Sequence, residues 1–166
     1  MPIKFKYMNR SGQILDTVYF DEKDPLLNIE GRILNSIKGF CFYKDKMVMV
    51  YSQVKGYWLP PGGGIDPGET YEEAMVREIK EETNMKVLHQ EVIGFQDAYE
   101  NGKILRQIRS FCIVEPHGDF ISDPDEGEVI EMKLIDPADY KEYFDWGEVG
   151  DLIMQKALEM KERFYK

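Results

Sequence analysis

Glu69, Glu72, Glu73, Glu78, Glu81 and Glu82 crowd into fourteen consecutive positions. On a helix, at about 100° per residue, Glu78 stands about 40° from Glu82 and about 60° from Glu81, so three carboxylates share one side. Like charges at these spacings repel. A hard divalent cation reconciles them, because Mg²⁺ and Mn²⁺ take oxygen ligands and keep positions free for water and phosphate oxygens. The competing reading is a solvated acidic face interleaved with Arg77 and Lys80. Taken alone the glutamates favour the second, although Met75, Val76 and Ile79 on the adjoining arc predict packing on a sheet, with the acidic side at the edge of the buried one. Upstream, Leu59-Pro60-Pro61-Gly62-Gly63-Gly64 forms a loop where backbone can approach a diphosphate, a weak signal by itself.

Taken together, these residues carry a pattern. Gly63, five residues, Glu69, seven residues, then Arg77-Glu78-Ile79-Lys80-Glu81-Glu82-Thr83-Asn84-Met85 resembles the Nudix box. At average residue frequencies a chance match in such a chain is on the order of 10⁻⁶. Trp58-Leu59-Pro60 looks like the family's lead-in. Asn84 stands where the family has glycine, at a helix C-terminal position needing positive φ, and Asn is the next most tolerant residue there. Pro61 and a third glycine lengthen the loop. The likeness covers the box and, through element order, most of the chain after Asn35.

The resemblance implies an α/β protein with the Nudix fold: an α/β/α sandwich with a mixed central sheet, here with an N-terminal β-hairpin extension at residues 1–30 preceding the domain at 31–166. It implies that Glu78, Glu81 and Glu82 ligate Mg²⁺ or Mn²⁺ and that Glu69 and Arg77 form an ion pair pinning the loop to the helix. Gly63 and Gly64, with Arg32, would bind substrate phosphate. The catalytic set is Glu81, Glu82 and Glu131. Glu81 is the first choice of general base, with Glu128 and Glu131 competing. The implied function is a Mg²⁺-dependent pyrophosphohydrolase that cleaves a nucleoside diphosphate linked to another moiety, in the MutT-like style, by attack of metal-activated water. The alternative is a catalytically silent Nudix-fold nucleotide-binding or regulatory module.

The elements that must position these residues are legible. Thr70 followed by Glu73 has the form of a capping box and predicts a helix over 70–83. Runs on either side of Asn9-Arg10-Ser11-Gly12 predict an N-terminal hairpin. Residues 36–43 and 47–51 predict a second, apolar hairpin at the centre of the sheet. Residues 87–98 and 103–114 predict long strands joined at Asn101-Gly102, and 128–135 a further strand. Val149, Ile153, Ala157, Met160 and Phe164 mark an amphipathic C-terminal helix.

Composition bounds the rest. One hundred and sixty-six residues fit one domain, and 43% hydrophobic residues suffice for a core. With 21 Lys+Arg against 31 Asp+Glu, the net charge of −10 argues against a long nucleic-acid partner and leaves a small nucleotide reached through a cation. Cys41 and Cys112 read as buried thiols. No signal peptide or membrane span is evident, which predicts a cytoplasmic protein with no membrane partner. The N-terminal hairpin could serve a homodimer or a substrate lid. For the remainder of the substrate, Phe40, Phe42, Tyr57 and Trp146 are candidate stacking aromatics. Arg106 and Arg109 join Arg32 as phosphate-pairing candidates, and their spacing on a strand points the two to opposite faces.

Overall fold

A computed structural model describes residues 2–122 and 128–166. Its strands are β1 (Ile3–Met8), β2 (Ile14–Phe20), β3 (Arg32–Tyr43), β4 (Lys46–Ser52), β5 (Tyr57–Leu59), β6 (Gly62–Gly64), β7 (Met85–Glu100), β8 (Lys103–Pro116) and β9 (Val129–Ile135). The helices are α1 (Tyr71–Thr83) and α2 (Gly147–Phe164), with a 3-10 turn at Pro137–Glu142 before α2. The strands form one mixed sheet in the order β1-β2-β7-β8-β3-β4-β5, with β6 on β3 and β9 on β4.

Alternation along β3 and β8 supplies both faces of the sandwich. Ile37, Cys41, Ile108 and Cys112 turn toward α1 and meet its Ala74, Met75 and Ile79. Phe40, Phe42, Phe111 and Ile113 turn the other way and meet Val149, Ile153, Met154, Ala157 and Met160 of α2. The α/β/α sandwich is therefore the observed architecture. Phe164, the last residue of the predicted apolar stripe, is exposed and its ring lies against His89 of β7.

Two features of the sheet differ from a reading as successive hairpins. β3 and β4 pair only through Phe42↔Met47 and Tyr43↔Lys46. Further back, Ser36, Ile37 and Lys38 of β3 pair with the three glycines of β6 instead, and β4 departs to pair with β5 and β9. The fork so created brings the glycine loop against the middle of β3. The N-terminal hairpin forms as expected, and its β2 extends the same sheet by pairing with β7 from Asp16↔Tyr99 to Phe20↔Phe95. Lys4 and Lys6 on the outer strand β1 disfavour further strand addition there.

The connector from β2 to β3 is tied down by buried charge. Arg106 Nη1 donates to the main-chain oxygens of Pro25 (2.8 Å) and Leu27 (2.6 Å), its Nε donates to Asp97 (2.8 Å), and its guanidinium stacks on Phe95. Arg32 Nε donates to the same Asp97 at 2.9 Å, and its Nη1 to the oxygens of Asn28 and Glu30. Arg32, expected to bind phosphate, is thus bonded here to Asp97 and to the connector. An aspartate buried between two guanidiniums and their chain carbonyls satisfies every partner, as burial of charge requires.

Candidate active site

α1 starts and stops where its sequence dictates. Thr70 Oγ1 accepts from the Glu73 N–H at 3.1 Å, while Glu73 Oε1 accepts from the Thr70 N–H at 3.0 Å. At the other end Asn84 adopts φ 52° and ψ 37° as a left-handed cap, the conformation for which glycine is the usual choice. Between these ends the helix holds its side chains in fixed register to the sheet. Ala74, Met75 and Ile79 are buried as its apolar face, but Val76 is exposed, not packed on the sheet. At about 100° per residue Val76 lies past the edge of the buried arc, whereas Glu78 and Glu82 fall between Ala74 and Met75. The two carboxylates therefore stand inside the buried face, deeper than the edge position expected.

The loop closes on them from the other side. Gly62, at φ +149°, lies so close to β3 that a Cβ would fall 2.1 Å from the Ile37 oxygen, and its N–H donates to Glu82 Oε1 at 2.7 Å. A Cβ on Gly63 would fall 2.7 Å from the Glu78 carboxylate, so that carboxylate rests on bare backbone. Arg77 fastens loop to helix: Nε and Nη2 reach Glu69 at 2.8 and 2.9 Å, and Nη2 also reaches the Gly64 oxygen at 2.9 Å. Its Nη1 donates to Glu78 (2.9 Å) and Glu81 (3.3 Å). The Glu69–Arg77 pair is as the motif implies, and its extension to three further carboxylates, Asp66, Glu78 and Glu81, was not foreseen.

Electrostatics separates the carboxylates by depth. Glu69, bonded to Arg77 and to the Asp66 N–H, is held down at about 2. Glu78 is raised by burial, against the pull of Arg77. Glu82 is pushed up to about 7 by burial, with Lys38 and the Gly62 N–H opposing. Lys38 itself is pushed down to about 8 by burial and by Lys55, and its ammonium lies 3.4 Å from the Gly62 oxygen. Glu128 adds to the rise of Glu82, so it faces the same region, and Arg10 at the tip of the N-terminal hairpin reaches Glu128 at 3.3 Å.

Glu131 is not brought into this group. A slip in register between Tyr51 and Ser52 bulges Ile130 outward, and Glu131 is exposed on the strand face where Lys133 covers Trp58 and Tyr143. Glu128 is the later acidic residue that the fold places nearby. Of the aromatic candidates, Phe40 and Phe42 are core and Tyr57 is exposed. Trp146 packs edge-on against Phe40 and covers the Arg109 guanidinium at 5.2 Å. Lys38 escaped the sequence reading, though a single cation inside the apolar run Ser36-Ile37-Lys38-Gly39-Phe40-Cys41 was a signal that it needed a polar partner.

Among the described residues no three acidic, histidine or cysteine side chains close on one point, and Arg77 Nη1 is shared by Glu78 and Glu81. The donor set nonetheless suits a hard cation: every candidate ligand is a carboxylate oxygen, and two of them are half-buried at raised pKa against backbone that carries no side chain. A groove of about 400 Å³ lined by Lys23, Lys156, Glu159 and Arg163 lies along α2 and includes none of these groups. Among the described residues no helix is long and apolar enough to cross a membrane.

A family model described as NUDIX domain matches residues 38–155. An uncharacterised Nudix hydrolase of Nostoc sp. is 25% identical over 92% of this chain and 98% of its own length. The RNA pyrophosphohydrolase of Erythrobacter litoralis is 40% identical over 39% of this chain and 37% of its own. In three dimensions the chain is similar to the Bacillus subtilis pyrophosphohydrolase BsRppH, with a TM-score of 0.67 over 94% of this chain and 97% of that one at 17% identity.

Proposed function

This chain belongs to the Nudix family of hydrolases, which act on phosphorus-containing anhydrides, and we propose that it is a Mg²⁺-dependent pyrophosphohydrolase of a small nucleotide, a nucleoside di- or triphosphate. The observation that carries the reading is the contact of two half-buried carboxylates, Glu78 and Glu82, with the bare backbone of Gly62 and Gly63, beside the Lys38 ammonium.

Glu78, Glu81 and Glu82 would hold the cation. Bound there, it would lower the pKa of a water and offset charge on the phosphate oxygens. The chain's own residues do the remainder. Gly63 and Gly64 leave room for a diphosphate to lie on main chain. Lys38 offsets charge on the oxygens next to Gly62. Arg77, by holding Glu69 and the Gly64 oxygen, keeps loop and helix at one distance. Glu81 stands at the helix edge with 51% of its side chain exposed and is the acceptor for the proton of the attacking water. The products are a nucleoside monophosphate with phosphate or pyrophosphate.

Purified protein incubated with a panel of nucleotides and Mg²⁺ tests this. Release of phosphate or pyrophosphate should disappear with chelator, in Glu82→Gln and in Glu81→Gln. A Glu81→Gln enzyme of full activity alongside an inactive Glu128→Gln enzyme would move the proton acceptor to Glu128, and full activity of the Glu81→Gln, Glu82→Gln double variant refutes the site.

A further inference from the structure

The fork between β3 and β4 divides the sheet into two arms. One carries β3 with β6, β8, β7 and the N-terminal hairpin, and the other carries β4 with β5 and β9. β3 and β4 pair only at Phe42↔Met47 and Tyr43↔Lys46, the closed end. At the open end β6 lies on Ser36, Ile37 and Lys38 of one arm, and Ser52 pairs with Val129 on the other.

Arg10 joins the arms at that open end. Its Nη2 donates to Glu128 Oε1 at 3.3 Å, and the Glu128 main-chain oxygen accepts from the Gln53 N–H at 2.6 Å, which fixes Glu128 to the turn after β4. Among the described residues no other ion pair joins the two arms. In a flat sheet at least five strand spacings, about 24 Å, would separate β1 from the β4 arm. The contact therefore needs a sheet curled until the hairpin tip comes round to the mouth of the fork.

The tip is built to stay there. Asn9 Oδ1 accepts from the Gln13 N–H at 2.8 Å and from Ser11 Oγ at 2.9 Å, and Gly12, at φ +85°, donates its N–H to the Asn9 oxygen at 3.0 Å. Asn9 Nδ2 also donates to Glu100, and Gln13 Nε2 to Asn101 at 3.2 Å, so the tip rests on the turn between β7 and β8. Across the mouth, Lys55 in the turn after β4 is pushed down by burial, with Glu128 and Glu82 opposing, so that turn faces the carboxylates of the site.

We propose that Arg10 is a positioning residue of the active site: by holding Glu128 across the mouth of the fork, the N-terminal hairpin keeps the β4 arm at a fixed distance from the glycine loop. This rests on the proposed hydrolase for the reaction that the positioning serves. Displacing groups around a reacting centre by about 1 Å can cost about a hundredfold in rate. An exposed ion pair, by contrast, adds little to stability, and the Arg10 side chain is 67% exposed. Loss of the bridge should therefore register in turnover and not in unfolding.

With the nucleotide that is turned over fastest, Arg10→Gln should lower kcat about tenfold at an unchanged melting temperature. Arg10→Lys should restore most of it, and Arg10→Gln should have no further effect in a Glu128→Gln background. The spacing of the arms is read separately by electron paramagnetic resonance between nitroxides at Met8→Cys and Gln53→Cys, both exposed positions, while Cys41 and Cys112 are buried. The distance distribution should broaden in Arg10→Gln and stay narrow in Arg10→Lys. Wild-type kcat in Arg10→Gln, or an unchanged distance distribution, overturns the positioning role and leaves the hydrolase standing. A wild type that hydrolyses no nucleotide removes the hydrolase and the role in it together.

Discussion

Glu82 should make this protein less stable, in the absence of metal, as pH rises. Its folded-state pKa of about 7 lies above the ordinary value of 4.5 because burial disfavours the carboxylate. Between those values the folded chain holds a proton that the unfolded chain has lost, so stability falls as pH rises from about 4.5 and the full penalty is present above about 7. A difference of about 2.5 pH units corresponds to about 3 kcal/mol, an upper bound because Lys38 titrates nearby. Lys38 acts in a separate window: its folded pKa of about 8 lies below the ordinary 10.5, so it returns stability between those two values. Glu82→Gln keeps an oxygen to accept from the Gly62 N–H and removes the charge. Urea denaturation in chelator at pH 5 and pH 8 should show wild type losing up to about 3 kcal/mol while the variant stays nearly level, and Mg²⁺ should restore the wild type alone. A wild-type stability that is equal or higher at pH 8 refutes the assignment of Glu82 as a carboxylate held in the buried arc of α1.

Two structural predictions accompany it. Asp97→Ala leaves Arg106 charged and buried with only carbonyl partners, and should lower stability by about 3 to 5 kcal/mol, read by thermal or urea unfolding. Gly62→Ala forces a Cβ into the Ile37 oxygen and should cost at least about 3 kcal/mol together with activity, whereas Gly68→Ala, where a Cβ meets nothing but φ is +82°, should cost about 1 kcal/mol and leave KM unchanged.

The helix that bears the glutamates was readable because its signals are local. A Thr70–Glu73 capping box and an Asn84 terminus act within one turn of chain, and the pairing of Glu69 with Arg77 follows from the spacing of a known motif. Depth was less readable. Periodicity placed the acidic side next to the apolar one, but only packing against β3 decided that Glu82 is inside the buried arc and Val76 outside it. Glu131 and Arg32 show the same limit. The first faces solvent on β9, opposite Tyr51, and the second bonds Asp97, sixty-five positions away. Neither event leaves a mark in neighbouring residues.

By itself, then, the order of amino acids determined that this chain carries a carboxylate helix behind a glycine loop, in an α/β sandwich of the Nudix family, because caps, alternation and motif spacing depend on residues close in sequence. The tertiary structure decided which charges meet. Lys38 faces Gly62 and Arg109 because β3 forks and pairs with both β6 and β8. Among the described residues Arg106 meets the Asp97 carboxylate on one side of the sheet, while Arg109 on the other meets Trp146. Such contacts are set by strand order and register, which no local spacing encodes.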